Sequence, residues 1–408
     1  MSASGATATG ERDAASQSSR GARTAAYFAA MAGLGLTLGA FGPTLPGLAA
    51  RTGVGLGDIG VLFVARSLGF LLVSVRGGRL YDRVPGHRVM AAMLLLMAAA
   101  MALVPAVPRL WPLAVVVAVL GAAEGTLDVG ANTLLARTHG ARVGPYMNGL
   151  HFFYGVGAFA APLVVARLVA HAHGLALTYW SLALLLLPVA AWLARLPSPP
   201  VRVPTGEEDE GRVGRRTIVL VALFFFLYVG AEVTFGGWVY SYAVALRLGA
   251  ETSAAYLTSA FWGALTLGRL AAVPLAARFS PRALLAADLA GCFCSLALIL
   301  SRPDSAAAFA VGTVALGLSM ASVFPTMFAL AGGRVVLTGR VAGWLIVGAS
   351  AGSMFLPWLA GRLFDAAGPR SMPVAVACAL ALAACVFAAL ARTRVGGIKP
   401  APRGMKDA

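Results

Sequence analysis

Apolar runs of about twenty residues recur along this chain, and short polar connections divide them. Twelve runs are read, at roughly 24–48, 58–76, 88–106, 110–136, 146–170, 174–195, 217–243, 253–277, 282–300, 306–331, 338–362 and 371–391. A helix rises 1.5 Å per residue, so runs of this length cross a hydrocarbon core of ~30 Å. The ten-residue alternation of a membrane β-barrel is absent. The pattern predicts an all-α polytopic membrane protein with twelve transmembrane helices.

The connections alternate in charge. "RGGRLYDRVPGHR" (76–88), "ARTHGARVG" (136–144), "RLPSPPVRVPTGEEDEGRVGRR" (195–216), "ARFSPR" (277–282) and "GGRVVLTGR" (332–340) are basic, and so are both tails. The intervening connections carry about one arginine each: Arg51, Arg109, Arg247, Arg302 and Arg370. Basic loops stay cytoplasmic, so both termini are expected there, in agreement with an even number of spans. The net charge of +16 is thus a topology signal and does not call for nucleic acid. Only 12% of residues are charged, against about a quarter in soluble domains.

The polar stretch 1–23 lacks a short apolar core with a cleavage site and is expected to be a disordered cytoplasmic tail rather than a secretory signal. Segment 197–216 is Pro-rich and acidic and reads as a cytoplasmic linker between bundles at 24–196 and 217–392, with a second tail at 393–408. Cys292, Cys294, Cys378 and Cys385 all fall in apolar runs and read as small core residues.

The two halves echo one another. "PLVVARL" (162–168) in the fifth run and "PWLAGRL" (357–363) in the eleventh both place Arg-Leu five residues after Pro. Gly78, Arg79, Pro85 and Arg88 close the second run as Gly268, Arg269, Pro281 and Arg282 close the eighth. A duplicated six-helix unit around a central cavity is a transporter architecture.

Four acids lie deep within the runs: Glu124 and Asp128 in the fourth, Glu232 in the seventh and Asp288 in the ninth; Arg66 lies mid-way in the second. A charge at that depth costs ~2.5–3.5 kcal/mol on insertion scales, so these groups face the bundle interior and mark function. Glu124, Asp128 and Asn132, spaced i, i+4, i+8, form one stripe on a helix face. A carboxylate in a dry cavity retains a proton more readily than in water. With amide or carbonyl oxygens it can instead hold sodium. Either gives a site charged when empty and neutral when loaded, so Glu124, Asp128 and Glu232 are the candidate cation-coupling residues, with a sodium ion at Asp128 as one form. The plainer reading makes one acid a permanent partner of Arg66, chosen from Asp58, Glu124 and Glu232.

Asn148, His151 and Tyr154 lie a turn apart on the fifth run. Glu232 precedes Gly236-Gly237, a pair that can bend the seventh helix beside a cavity, and Trp238 follows. Pro325 breaks the tenth run before Thr326. Amides bind hydroxyls and a ring stacks on an apolar face, so Asn132, Asn148, His151, Tyr154, Trp238 and Thr326 are candidate sugar-binding residues. Trp238 and the nearby tyrosines also fit an interfacial belt.

"GRLYDRVPGHR" (78–88) resembles the loop signature of the major facilitator superfamily, with Pro85 as an extra residue. "GAFGPTLPGLAARTG", "FVARSLGFLL", "LDVGAN", "LHFFYGVGAFAAPL" and "LYVGAEVTFGGWVYSYAV" resemble its sodium-dependent glucose transporter branch, which is related to the fucose permeases. By position, the resemblance implies that Asp128 and Asn132 match a helix 4 acid and asparagine. His151 and Tyr154 fall beside the sugar, and Pro325 and Thr326 match a helix 10 Pro-Thr. The first run lacks the acid that fucose permease carries there, and Glu232 is expected to replace it. Gly78, Asp82, Arg83 and Arg88 are expected to gate the cytoplasmic side, Asp82 accepting bonds from the start of helix 11 and from nearby arginines.

The expected function is a cation-coupled monosaccharide symporter, driven by sodium or protons, working as a monomer in the lipid bilayer of a cell inner membrane, with no cofactor. The alternatives are a proton-coupled efflux antiporter for small apolar compounds and a sugar uniporter. A membrane enzyme is disfavoured, because His171 and His173 have no partners in sequence.

Overall fold

The computed structural model describes residues 4–200, 215–332 and 339–392; of 4–19, 75–78, 141 and 339–342 it describes the backbone alone. Among the described residues, twelve helices are long and apolar enough to cross a membrane. They are α1 (Ser4–Thr52), α2 (Val61–Tyr81, preceded by a single turn at Leu56–Ile59), α3 (Gly86–Leu103), α4 (Leu110–His139), α5 (Gly144–Leu168) and α6 (Gly174–Arg195). The second set is α7 (Arg215–Ala245), α8 (Glu251–Arg278), α9 (Pro281–Ser301), α10 (Ala306–Met320, continued by Val323–Gly332), α11 (Gly339–Ala367) and α12 (Ser371–Arg392). Helices dominate because lipid offers the backbone no hydrogen bonds, so each segment must satisfy its own.

Two placements differ from expectation. Helix α1 extends back to Ser4 through the stretch expected to be a disordered tail. That stretch is alanine-rich and contains no proline, so nothing in it stops the helix. Helix α8 ends at Arg278, in agreement with the expected run to 277, so Gly268-Arg269, which the echo set at the helix end, lie about nine residues inside it, with Pro274 beyond them. The expected linker and second tail fall largely on residues 201–214 and 393–408, outside the described residues.

The packing repeats after a shift of six helices. Helix α1 packs on α5 as α7 packs on α11; α2 on α4 as α8 on α10; α3 on α6 as α9 on α12. Glycine makes the closest of these approaches. A Cβ on Gly157 (α5) would strike the Ala32 carbonyl of α1, and one on Gly352 (α11) would strike the Phe226 carbonyl of α7. Small residues at such crossings let helix backbones touch, which is how membrane helices bind one another without a hydrophobic driving force between them. The halves meet through α2 against α11, α5 against α8, and α1 against α7.

Each half also has buried polar fasteners. In the first, the His87 ring takes a 2.7 Å bond from the Tyr27 hydroxyl and gives one of 3.0 Å to the Leu196 carbonyl, tying α1, α3 and the end of α6. The cysteines are free; Cys292 is buried, whereas Cys294, Cys378 and Cys385 lie on the exposed surface and not in the core.

Candidate functional site

Between the halves lies a cavity of about 630 Å³, within the ordinary range for small-molecule sites. Its lining reaches Phe279 and Pro281 at the α8–α9 turn, on the face that carries both chain ends. The far face is sealed. There the Gly57 amide donates to Asp365 Oδ2 at 2.7 Å, Arg362 Nη1 to Asp58 Oδ1 at 2.7 Å, and Ser259 Oγ to the Phe159 carbonyl at 2.8 Å. Ser353 Oγ meets Ser67 Oγ at 3.1 Å, deeper in. Among the described residues, every side-chain hydrogen bond between halves lies at or beyond that depth on the far side. This conformation is open toward the chain ends and closed opposite.

Beneath the seal, Gly42 of α1 faces the carbonyls of Gly236 and Gly237 on α7. Those two glycines do not unwind α7, which is continuous from Arg215 to Ala245; it is the missing Cβ of Gly42 that lets α1 approach. Trp238 is fully buried, donates Nε1 to the Pro357 carbonyl at 3.0 Å and stacks on Phe364. It is neither in the cavity nor in a lipid belt, because these contacts draw it into the seal. The cavity's tryptophan is Trp262 of α8.

The four deep acids divide into two kinds. Glu124 is the partner of Arg66: Nε donates to Oε2 at 2.8 Å and Nη2 to Oε1 at 2.9 Å. Thr37 lies 3.4 Å from Nη2, and the guanidinium sits 5.3 Å from the centre of the Phe41 ring. Glu232 has a looser arginine, Arg269, at 3.9 Å. The Tyr228 hydroxyl lies 2.6 Å from Glu232 Oε2 and 2.6 Å from the Met320 carbonyl, and its single proton serves one of them at a time.

Among the described residues, the other two acids have only neutral donors. Asp128 receives Asn132 Nδ2 at 3.2 Å, and the same amide reaches the Asp128 carbonyl at 2.9 Å. Asp288 receives Ser322 Oγ at 2.5 Å. Glu124, Asp128 and Glu232 line the cavity. Asn132 is absent from the lining, because its amide is turned onto Asp128 one helical turn back.

Asn148, His151, Tyr154 and Thr326 also line the cavity, and Tyr154 is close enough to feel the charges of both Arg66–Glu124 and Arg269–Glu232. Facing them from α8 are Trp262, Thr266 and Arg269, with Ser350 and Ser353 of α11. The α8 trio was missed in sequence. Its i, i+4, i+7 spacing was the signal, but the echo of Gly268-Arg269 with Gly78-Arg79 placed Arg269 at a helix end. It lies ~14 Å inside α8 instead.

At the α2 end, Asp82 pairs with Arg137 of α4, whose Nη1 also donates to the Tyr81 carbonyl at 2.8 Å. Tyr81 is buried and donates its hydroxyl to the Thr126 carbonyl at 2.9 Å. Burial pushes that phenol well above its ordinary pKa. Arg83 and Arg88 are exposed. The surroundings of Gly78, and residues 333–338 ahead of α11 where Asp82 was expected to dock, lie outside the described residues.

Residues 25–344 match the Major Facilitator Superfamily. The chain belongs to that family. The sodium-dependent glucose transporter 1 of Xenopus laevis is 30% identical over 359 residues, covering 80% of this chain and 73% of that protein. Sodium-dependent glucose transporter 1A of Mus musculus is 28% identical over 377 residues, covering 82% and 88%. These relatives place the chain in the sodium-dependent glucose transporter branch of the superfamily. In fold, the crystal structure of the nucleoside transporter NupG superposes with a TM-score of 0.71 at 13% identity, covering 92% of this chain and all of that one. The chain is therefore a multi-pass membrane transporter and not an enzyme.

Proposed function

We propose that this transporter is a cation-coupled monosaccharide symporter working by alternating access. The observation that carries the reading is Asp128. It is a carboxylate on the cavity wall with no arginine, lysine or histidine bonded to it among the described residues, beside groups that suit a sugar. His151 and Asn148 offer donors and acceptors to hydroxyls, and the Trp262 and Tyr154 rings offer apolar faces. Toward the opening the wall turns apolar, with Leu270, Val273, Phe279 and Phe324. A pyranose ring, polar at its edge and apolar on one face, fits that division better than a wholly apolar solute.

Cation binding at Asp128 neutralises the wall charge. The loaded cavity can then close where the empty one resists closing, because an unpaired buried charge costs several kcal/mol. Glu124 is outside this role, held by Arg66. Glu232, with Tyr228 and Arg269, adjusts the second half of the cavity. The basic loops assign the face with the chain ends to the cytoplasm of a cell inner membrane, so the conformation is inward-open. The Asp82 region is the gate that closes on that side. The bundles run over 24–196 and 217–392, and the protein works as a monomer.

One inward charge gains ~2.3 kcal/mol per 100 mV, and 1.4 kcal/mol is tenfold, so one cation per sugar supports roughly 50-fold accumulation. The test imposes an inside-negative potential on proteoliposomes and follows labelled glucose, with sodium or a proton gradient. Wild-type protein is expected to accumulate sugar; Asp128→Asn is expected to exchange sugar but only equilibrate it. Native accumulation by Asp128→Asn overturns the role of Asp128. Wild-type influx that ignores voltage and both ions makes the protein a uniporter.

A further inference from the structure

Asp288 is the deep acid that the cavity does not use. On α9 the half-buried Asp288 shares a face with Leu285 and Cys292, both buried, so it points into protein and not lipid. The only group bonded to its carboxylate among the described residues is the Ser322 hydroxyl, at 2.5 Å. No arginine, lysine or histidine pairs with it there. An ionised carboxylate at that depth with one neutral donor is under-compensated.

Its partner sits at a break. Ala321 and Ser322 separate the two parts of α10, at Ala306–Met320 and Val323–Gly332. Pro325 has no amide hydrogen, so the Ala321 carbonyl lacks the donor a continuous helix would supply. One turn along, the Ser319 hydroxyl faces Gly291 of α9, where a Cβ would collide with it. The neighbourhood therefore gathers oxygens: a carboxylate, two hydroxyls and a freed carbonyl. Ser322 also lines the central cavity, which gives the cluster a path to water.

We propose that Asp288, Ser322 and the broken turn of α10 form a monovalent cation site that takes sodium. Hard cations are held by oxygen ligands, and unwound carbonyls within membrane helices coordinate sodium in transporters. A proton would need the carboxylate alone; the broken turn and the hydroxyls are what sodium needs. Of the four deep acids, the one without a basic partner among the described residues is Asp128 in the first half and Asp288 in the second. This deepens the cation-coupled reading and rests on it.

The test is equilibrium binding of radioactive sodium ions to the purified full-length protein in detergent, without sugar or gradient, at pH 6 and pH 8. Asp288→Asn is expected to lose binding and Ser322→Ala to weaken it about tenfold, while Asp128→Asn retains the site. Elution profile and melting temperature verify that each variant is folded, and Ser322→Ala carries the test if Asp288→Asn is not. Unchanged affinity in Ser322→Ala together with Asp288→Asn overturns the proposal. Loss of sodium in Asp128→Asn alone moves the site to α4 and also overturns it, while leaving the symporter reading intact. Wild-type protein that binds no sodium at either pH overturns it too, and glucose accumulation by the same preparation under a proton gradient would show that the symporter reading survives.

Discussion

Each half of this transporter holds an arginine and a glutamate at depth, but the two pairs are built differently. In the first half both Glu124 oxygens receive an Arg66 nitrogen, at 2.8 and 2.9 Å, and the side chains are 11% and 3% exposed. In the second half Arg269 stands 3.9 Å from Glu232, the side chains are 28% and 12% exposed, and Glu232 takes its short bond from Tyr228. The first pair is satisfied on both members and acts as scaffold between α2 and α4. The second leaves donor capacity facing the cavity, where a solute or ion can claim it. Duplication gave the halves a common packing; the chemistry diverged on it.

The strongest way to break this comparison is to remove one charge from each pair. Arg66→Ala leaves Glu124 buried without a partner, which costs roughly 3–5 kcal/mol. Arg269→Ala removes a distant, better-solvated partner and is expected to cost about 1 kcal/mol or less. Melting of the purified variants measures both. Equal losses would show that Arg269 is as structural as Arg66. The comparison sharpens in the double variant Arg66→Met with Glu124→Leu. Replacing both members by apolar groups of similar size removes the stranded charge, so most of the stability lost in Arg66→Ala is expected to return. If the double variant melts no higher than Arg66→Ala, packing around Phe41 and not the stranded carboxylate sets the loss.

The need for an Arg66 partner was legible in the sequence, but its choice was not. Arg66 and Glu124 are 58 positions apart, and only the crossing of α2 with α4 selects Glu124 over Asp58, which Arg362 takes, or Glu232. The twelve spans were legible because a bilayer fixes length and apolarity together. The break in α10 followed from Pro325. Trp238 and Trp262 show the limit: both are tryptophans on membrane helices, and their roles separate only when the Gly42–Gly237 approach closes the far side over Trp238. Asn132 was assigned to substrate as an amide suited to hydroxyls, although its i+4 spacing from Asp128 already allowed the bond it makes.

The smallest expected effects concern the far-face seal. "GRLFD" (361–365) at the end of α11 repeats "GRLYD" (78–82) at the end of α2, and these helices pack together. On the far face both polar members of the repeat bridge the halves: Asp365 takes the Gly57 amide at 2.7 Å and Arg362 reaches Asp58 at 2.7 Å. Near the chain ends, Asp82 is instead held within its own half by Arg137. Among the described residues, the repeat bridges the halves on the closed side and not on the open side. The two bonds differ in weight. The Asp365 bond joins a charge to a first-turn amide that has no helical acceptor, and is worth about 1 kcal/mol, or roughly fivefold in population. Arg362 and Asp58 are 54% and 52% exposed, so their pair contributes a few tenths of a kcal/mol at most. In a background without native cysteines, a cysteine replacing Leu38 on the cavity wall reports far-face opening to an impermeant maleimide. Asp365→Ala is expected to speed that labelling about fivefold and Arg362→Ala less than twofold. The reverse order would mean that the exposed ion pair, and not the capped amide, holds the seal.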